Sequence, residues 1–247
     1  MIEDTAGGPT PQRKVVVTGA GGAIGATIVE HLSTRWDVIA TDIRGTDLLE
    51  ALDALDGPAC RQVFAGADSV IHLAATPDPN ATWDELLPKN VIAVHEVAAA
   101  TMAVGVPRLV LASSMQAVTA YPLDQQVRAE DPPRPANLYG ATKGWAESIG
   151  SWVAATSSTT VVALRIGFFG AEPPSGIEAT PRNLAAWISP RDCAELVRAA
   201  VEGPVDGFTV ASGVSANRYR KAAYGAAEVA LGYRPVDDAW DPAHQHG

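Results

Sequence analysis

A glycine-rich turn between a short apolar run and an amphipathic segment constrains this chain more than any other feature. Residues 14–25 read Lys-Val-Val-Val-Thr-Gly-Ala-Gly-Gly-Ala-Ile-Gly. The β-branched residues 15–17 predict a buried parallel strand, and the apolar residues that recur between 24 and 32 predict a helix. Glycines at such a turn let the backbone approach a phosphate closely, and the helix N-terminus offers it free N–H groups. The segment therefore predicts the first half of a dinucleotide-binding βαβ unit.

The spacing of the glycines and one later acid refine this prediction. Gly19, Gly22 and Gly25 form a Gly-x-x-Gly-x-x-Gly pattern. Asp42 ends a second apolar run, residues 38–42, near the ~20-residue offset at which an acid binds the adenosine ribose. Its carboxylate would repel a 2′-phosphate, which favours NAD over NADP. A glycine-rich loop without a ligand is the alternative, and the strand context together with the acid favours NAD binding.

The composition argues against several classes of protein. A formal net charge of −10 argues against binding to nucleic acid or to an anionic membrane surface. No apolar run reaches the ~20 residues that a membrane span needs, and the polar residues 1–12 predict a flexible tail. Cys60 and Cys193 have no metal-ligand spacing, so we expect two reduced thiols, no metal site and a cytoplasmic protein.

Predicted strands and helices alternate along most of the chain. The pattern predicts strands at residues 15–17, 38–42, 48–52, 69–75, 106–114, 160–166 and 208–211. It predicts helices at residues 24–32, 58–64, 83–104, 137–155, 191–201 and 219–231. Such alternation is typical of an α/β protein with a Rossmann-type, doubly wound parallel sheet.

We expect a single domain with two parts behind the flexible tail. Residues 13–166 would form the NAD-binding Rossmann core, and residues 167–247 a small C-terminal lobe that covers the substrate. Doubly wound sheets bind ligands at the carboxyl ends of their strands, and the irregular, proline-containing residues 167–182 follow one such end. Residues 240–247 are expected to be loose.

Tyr139 and Lys143 form a Tyr-x-x-x-Lys motif at the start of a predicted helix. Residues four apart share a helix face, so the phenol and the ammonium can point into one site. A free tyrosine has a pKa of ~10, and a nearby lysine cation favours the phenolate. Lowering that pKa by three units needs only ~4 kcal/mol. A surface pair is the alternative, but the nucleotide-binding half and a strand ending in Ser113-Ser114 favour a catalytic pair.

Together these motifs resemble the extended short-chain dehydrogenase/reductase family, which includes NAD-dependent sugar epimerases and dehydratases. The matching residues span nearly the whole chain: Gly19, Gly22, Gly25, Asp42, the run His72-Leu73-Ala74-Ala75, Asn90, Ser113, Ser114, Tyr139, Lys143, Glu147, Leu164 and Arg165. Each motif is weak alone, and their combination is specific.

The resemblance implies a role for each group of residues. In the family, a tyrosine exchanges a proton with a substrate hydroxyl while hydride moves to or from the nicotinamide. A lysine tunes the tyrosine, a hydroxyl orients the substrate oxygen, and an asparagine supports a proton path. The catalytic residues implied here are Tyr139, Lys143, Ser114 and Asn90. The NAD-binding residues implied are Gly19, Gly22, Ala23, Ile24, Gly25, Asp42, Asp53, Ala54, Leu73, Ala74, Ala75, Asn90, Tyr139, Lys143 and Ile166.

Within that family the chain is most similar to uronate dehydrogenases, which oxidise C1 of a hexuronic acid to an aldarolactone with NAD. The shared stretches are residues 182–192 and 211–217. Arg182 matches an arginine that binds the substrate carboxylate, a task suited to a bidentate guanidinium, and a salt bridge that holds the loop is the alternative. The substrate-binding residues implied are Pro77, Ser114, Met115, Gln116, Tyr139 and Arg182.

Three positions depart from the uronate dehydrogenase pattern. Those enzymes carry Asn-His where this chain has Met115-Gln116, and a substrate-contacting serine where it has Pro77. A methionine is soft and apolar, which suggests a less polar or differently shaped substrate.

Three functions stay open on these grounds. The leading one is an NAD-dependent dehydrogenase of a sugar acid or related polyol. An epimerase or dehydratase of a nucleotide-linked sugar is the second, although the few residues after Arg165 offer little material to enclose a nucleotide diphosphate. A non-catalytic NAD-binding protein is the third, and the intact Tyr139 and Lys143 argue against it.

The resemblance also implies a homodimer. Family members often pair through two helices that correspond to residues 83–104 and 137–155, and both carry more alanine and valine than one sheet face can bury. The expected partners are therefore a small-molecule substrate and a second copy of the chain, with no nucleic acid and no membrane.

Overall fold

Seven parallel strands form the central sheet in the computed structural model, which describes residues 13–241. The strands of this part of the chain are β1 Lys14–Thr18, β2 Asp37–Asp42, β3 Glu50–Ala51, β4 Ser69–His72, β5 Arg108–Ser114, β6 Thr160–Ile166, β7 Phe168–Phe169, β8 Trp187–Ile188 and β9 Phe208–Gly213. The central sheet has the order β3-β2-β1-β4-β5-β6-β9, and each neighbouring pair is parallel. The strand order reverses between β1 and β4, which is where doubly wound sheets bind ligands.

Helices cover both faces of the sheet, and the predicted Rossmann-type fold is confirmed. The helices are α1 Ala23–Leu32, α2 Gly57–Phe64, α3 Trp83–Leu86, α4 Ala93–Ala103, α5 Leu138–Thr156, α6 Pro181–Ala186, α7 Pro190–Glu202 and α8 Ala226–Leu231. Successive side chains of a strand point to opposite faces. Val15 and Val17 accordingly belong to a core that α1 and α7 share, and Val16 to a second core with α2, α4 and α5. Across residues 13–241, none of the helices is long and apolar enough to cross a membrane.

The long helix predicted at residues 83–104 is divided into three parts. A π-helical turn, Leu87–Ile92, separates α3 from α4. Pro88 lies in this turn and has no N–H to donate, and the amide of Asn90 bonds outside the helix to Thr76. Such π-helical turns are frequent at functional sites.

The helix predicted at residues 219–231 is shorter than expected and begins only at Ala226. The preceding residues bond across the chain, because Val127 N donates to Lys221 O and Ala223 N donates to Val127 O, both at 2.9 Å. Gly225 then caps the helix, with its N–H bonded to Glu228 Oε2 at 2.8 Å. Pairing with a distant segment has therefore replaced the first helical turns.

Residues after 166 contribute to the central sheet and also cover its carboxyl edge. Strand β9 completes the sheet beside β6, and α7 packs against α1. Strands β7 and β8, which the sequence pattern did not predict, pair in parallel and enclose α6 between them in the chain. The predicted tail at residues 1–12 and the residues from 242 of the predicted loose end lie outside the described residues.

Candidate active site

A cavity of about 880 Å³ lies along the carboxyl edge of the sheet, at the point where the strand order reverses. Its walls come from the segments that follow β1, β2, β4, β5 and β6, together with α5 and α6. The predicted site residues that line it are Gly19, Gly22, Ala23, Ile24, Gly25, Asp42, Asp53, Ala54, Leu73, Ala74, Ala75, Pro77, Ser114, Met115, Gln116, Tyr139, Lys143, Ile166 and Arg182. The structure therefore brings these residues, predicted from distant motifs, around one space.

The glycine-rich turn is packed so closely that side chains are excluded from it. Gly19 has φ +74°, and a Cβ there would lie 2.5 Å from the backbone nitrogen of Ala74. A Cβ on Gly25 would lie 2.2 Å from Gly19 O. Helix α1 begins directly after Gly22, whose lack of a side chain leaves the first-turn N–H groups open to the cavity. This cradle has the form that a dinucleotide pyrophosphate requires.

Asp42 is oriented by the same turn. Its Oδ2 accepts a hydrogen bond from Gly21 N at 3.0 Å, at the carboxyl end of β2. Asp53 and Ala54, after β3, continue the wall at this end of the cavity. An acid next to the pyrophosphate cradle, followed by a small-residue wall, fits the ribose and adenine of NAD.

The first turn of α5 holds Tyr139 against the 3₁₀ turn that follows β5. Asn137 caps α5 by accepting from Gly140 N at 2.7 Å, and its own amide donates to Gln116 Oε1 at 2.8 Å. A Cβ on Gly140 would lie 2.3 Å from Gln116 O, so this helix end can approach the turn only with glycine there. The contacts fix the direction in which the Tyr139 side chain leaves the helix.

Tyr139 and Lys143 are both buried, which changes the expected electrostatics. Lys143 Nζ donates to Ala112 O at 2.9 Å and lies 5.5 Å from the centre of the Tyr139 ring. Burial lowers the pKa of Lys143 to about 8. Burial also raises the pKa of Tyr139, while a hydrogen bond with Ser114 opposes that rise. The expected lowering of the tyrosine pKa by the lysine is therefore not what the structure shows, because desolvation is the larger effect.

Asn90 is the one predicted site residue that does not line the cavity. Its side chain bonds both backbone groups of Thr76, accepting from N at 2.8 Å and donating to O at 3.0 Å, and also contacts Thr142 Oγ1 at 3.3 Å. It is almost fully buried. Asn90 thus joins the loop after β4 to α5, behind the wall that Tyr139 and Lys143 form.

A buried ion pair supports the ends of β5 and β6. Arg165 donates to both carboxylate oxygens of Glu147, at 2.8 and 2.9 Å, and Ser113 Oγ donates to Glu147 Oε1 at 2.7 Å. The guanidinium also bonds the carbonyls of Arg128 and Asp131. All these donors are satisfied inside the protein, so the network serves to fix the wall. Glu147, Arg165 and Ser113 are all among the residues that carry the family resemblance.

The wall next to Arg182 includes residues that the motifs did not predict. Arg182 donates from Nη1 to Thr119 O at 2.8 Å. Phe168, Phe169 and Lys221 also line the cavity. These three lie in segments without motif spacing, and only their place after β6 and β9 in the folded chain brings them to the site.

His72 lies beneath the cavity and is fully buried. Its Nδ1 shares a hydrogen bond of 2.7 Å with Thr18 Oγ1, and burial, assisted by Lys143, lowers the pKa of its imidazole to about 3. A neutral imidazole therefore links the ends of β1 and β4. Within residues 13–241, His, Cys, Asp and Glu side chains form no group of three or more that could hold a metal ion.

The fold and the site define a nucleotide-binding α/β enzyme with a Tyr-x-x-x-Lys pair at its cavity. Residues 15–206 match the model of the NAD dependent epimerase/dehydratase family, and the chain belongs to this family. The family predicted from the sequence is therefore confirmed, and with it the dependence on NAD.

Comparison with individual proteins gives relatives that span nearly the whole chain. The chain is 33% identical to L-arabinose 1-dehydrogenase (NAD(P)(+)) of Haloferax volcanii, over 92% of this chain and 97% of the relative. It is 31% identical to NAD-dependent glucose-6-phosphate dehydrogenase of the same organism, over 91% and 94%. The crystal structure of a mutant uronate dehydrogenase from Agrobacterium tumefaciens, complexed with NAD, has a TM-score of 0.83 and 27% identity, and the match covers 92% of this chain and 86% of that one.

Proposed function

We propose that this protein is an NAD-dependent dehydrogenase that oxidises a hydroxyl of a sugar acid similar to a uronate. The observation that carries the proposal is the shared cavity, which joins the glycine cradle and Asp42 at one end to Tyr139, Ser114 and Arg182 at the other. Similarity to dehydrogenases of arabinose, of glucose 6-phosphate and of uronates supports sugar oxidation.

Tyr139 is proposed as the general base and Ser114 as the group that orients the substrate hydroxyl. Ser114 opposes the rise in the pKa of Tyr139, and both side chains belong to residues that line the cavity. Oxidation of an alcohol breaks its O–H and C–H bonds, and Tyr139 takes the proton from the oxygen. The glycine cradle and Asp42 would hold NAD, which would supply the acceptor for the hydride from the carbon. The proton and the hydride together account for the two electrons and two hydrogens that the substrate loses.

Lys143 is proposed to favour the deprotonated form of Tyr139. Tyr139 can accept the substrate proton only as the phenolate, so its own proton must first leave to solvent, and burial opposes this loss because it raises the pKa of Tyr139. A cation at 5.5 Å from the ring favours the phenolate that forms when the proton leaves. The lysine ammonium stays fixed by its bond to Ala112 O while this happens.

The substrate is proposed to carry an anionic group that Arg182 binds. The acids that line the cavity, Asp42 and Asp53, follow β2 and β3, on the far side of the strand-order reversal. The other residues that line the cavity, among them Met115 and Phe168, are uncharged or basic. A guanidinium in partly apolar surroundings favours a carboxylate ligand, with which it forms two parallel hydrogen bonds.

The test is an NADH assay with purified protein, NAD and a set of hexuronic acids, aldoses and sugar phosphates. Steady NADH accumulation with a uronate supports the proposal. Conversion of a sugar without net NADH would instead indicate an epimerase or dehydratase. NAD binding without turnover of any sugar would contradict the dehydrogenase proposal.

We also propose a homodimer through α3, α4 and α5. Three indoles on these helices are exposed, Trp83 by 49% and Trp145 and Trp152 by 40% each, and the His95 ring stacks on Trp152. Apolar aromatic surface of this kind is enriched at interfaces between subunits. Light scattering at micromolar concentration should give twice the chain mass, and Trp152→Glu should shift it toward the monomer. A monomer mass for the unmodified protein would refute this assembly.

A further inference from the structure

We infer that Lys221 is a second cation for the anionic group of the substrate, and that it selects anionic sugars over uncharged ones. The anionic group is a carboxylate or a phosphate ester. The inference rests on the proposed function, because it concerns the same end of the same cavity. No sequence motif singles out Lys221, which is distant in the chain from Arg182.

The backbone brings Lys221 next to the helix that carries Arg182. Lys221 N donates to Ala185 O at 2.9 Å, within one helical turn of Arg182. On its other side, Lys221 O accepts from Val127 N at 2.9 Å. The backbone of this lysine is therefore fixed between α6 and residue 127, and the residue lines the cavity while only 8% exposed.

One segment of the chain holds both cations by its carbonyl oxygens. Lys221 Nζ donates to Pro122 O and, at 2.6 Å, to Gln125 O. Arg182 Nη1 donates to Thr119 O at 2.8 Å, in the same segment, residues 119–125. An ammonium carries three protons and a guanidinium five, so each cation retains donors beyond these backbone contacts. Those remaining donors can serve a ligand in the cavity.

Two cations held this close repel one another, which favours an anion between them. Burial and the guanidinium of Arg182 both lower the pKa of Lys221, while Asp124 opposes this effect. Asp124 is exposed and does not line the cavity. A substrate anion would therefore supply the neutralising charge at this end of the cavity. A carboxylate and a phosphate ester both have that charge, and both accept several hydrogen bonds.

Calorimetric titration of the protein saturated with NADH tests the inference with galacturonate, galactose and glucose 6-phosphate as ligands. Lys221→Met keeps the length of the side chain and removes its charge. We expect it to weaken the binding of the preferred anionic sugar by about ten- to one-hundred-fold, the range for hydrogen bonds to charged groups. Lys221→Arg should restore most of this affinity. The anionic sugar that loses more affinity identifies which of the two groups the cation pair binds.

Lys14→Met is the matched control. Lys14 Nζ also donates to a backbone carbonyl, that of Ala65, but β1 begins there, at the opposite edge of the sheet. The Lys14→Met substitution should leave the affinities for galacturonate, galactose and glucose 6-phosphate unchanged. Arg182→Ala and the double variant complete a cycle, in which the losses for the anionic sugar should be non-additive because the two cations share one ligand.

Three results for Lys221→Met would overturn the inference. The first is an unchanged affinity for anionic sugars. The second is an equal loss of affinity for galacturonate and galactose, and the third is a loss of NADH affinity, because either would make Lys221 a structural support only. An unmodified protein that binds no anionic sugar would refute the inference as well. A protein that binds anionic sugars through Lys221 but reduces no NAD would refute only the dehydrogenase function.

Discussion

The ammonium of Lys143 lies 5.5 Å from the centre of the Tyr139 ring, and its hydrogen bond goes to a backbone carbonyl of β5. The lysine is thus anchored to the sheet beside the phenol. Because the anchor is a strand that packs in the middle of the sheet, the distance between the two groups is set by the fold.

Tyr139→Phe should lower kcat by ~10²- to 10⁴-fold, which is the usual contribution of general acid–base catalysis. The phenyl ring still fills the site, so the affinity for NAD should barely change. Steady-state kinetics with NADH detection and a separate NAD titration measure the two effects. Tyr219→Phe is the control, because Tyr219 is 69% exposed and does not line the cavity. Near-full turnover in Tyr139→Phe would contradict the assignment.

Arg182→Ala should raise KM for an acid substrate with a smaller change in kcat. The guanidinium would bind the anionic group in the ground state and transition state alike, and the loss of such uniform binding appears in KM. Preference for the acid over its uncharged analogue should fall at the same time. Arg218→Ala, which removes a surface arginine paired with Asp238, serves as the comparison. If acid and neutral substrates weaken equally, Arg182 only supports the loop through Thr119.

Asp42→Ala should narrow the preference for NAD over NADP. The carboxylate would accept hydrogen bonds from the adenosine ribose, and charge-assisted bonds of this kind are worth about ten- to one-hundred-fold in affinity. NAD binding should weaken by that factor, while NADP binding should improve as the repulsion of its 2′-phosphate is removed. Fluorescence titration of both cofactors measures this, with Asp47→Ala on the exposed neighbouring loop as control. Equal affinity for both cofactors in the unmodified protein would defeat the idea.

His72 should make the protein less stable in acid. Burial lowers its pKa from 6.5 to about 3, so between these values the unfolded chain binds the proton that the folded protein excludes. The free energy of unfolding therefore rises with pH through this window, by up to about 1.4 kcal/mol per pH unit from this group. Urea unfolding at pH 4 and pH 6 should show a smaller difference for His72→Gln than for the unmodified protein. His31→Gln, at an exposed position on α1, should leave the difference unchanged, and an identical slope in all three proteins would refute the role of His72.

The local sequence pattern was sufficient to predict the structure where a single strand or a single turn determines it. Strand β6 has the predicted bounds. Its run of β-branched residues and leucine is typical of a buried parallel strand, and no other local structure fits it as well. The glycine turn was equally readable, since φ +74° at Gly19 and the contact of Gly25 with Gly19 O require glycine. The other residues of the cavity wall were implied by the family resemblance.

Contacts between distant segments account for what the sequence did not predict. The π-helical turn depends on the bond between Asn90 and Thr76, and the shortened α8 depends on the pairing of residues 221–223 with Val127. Burial of Tyr139 and Lys143 reverses the expected direction of the tyrosine pKa, and burial is a property of the folded surroundings. Lys221 reaches the site through its bond to Ala185, for which the sequence contains no periodic signal.

The parallel pairing of β7 with β8 holds both ends of the segment between them, so the sequence of that segment can change. The chain leaves the end of the sheet at Phe169 and returns beside it at Trp187, whose Nε1 donates to Gly170 O at 3.0 Å. The residues between these two points, including Arg182, form a loop whose two ends stay in place when its sequence changes. Insertions and replacements in such loops are tolerated far better than in the elements that hold them. New sugar specificities can therefore arise by replacing residues 171–186, with the redox half of the enzyme inherited intact.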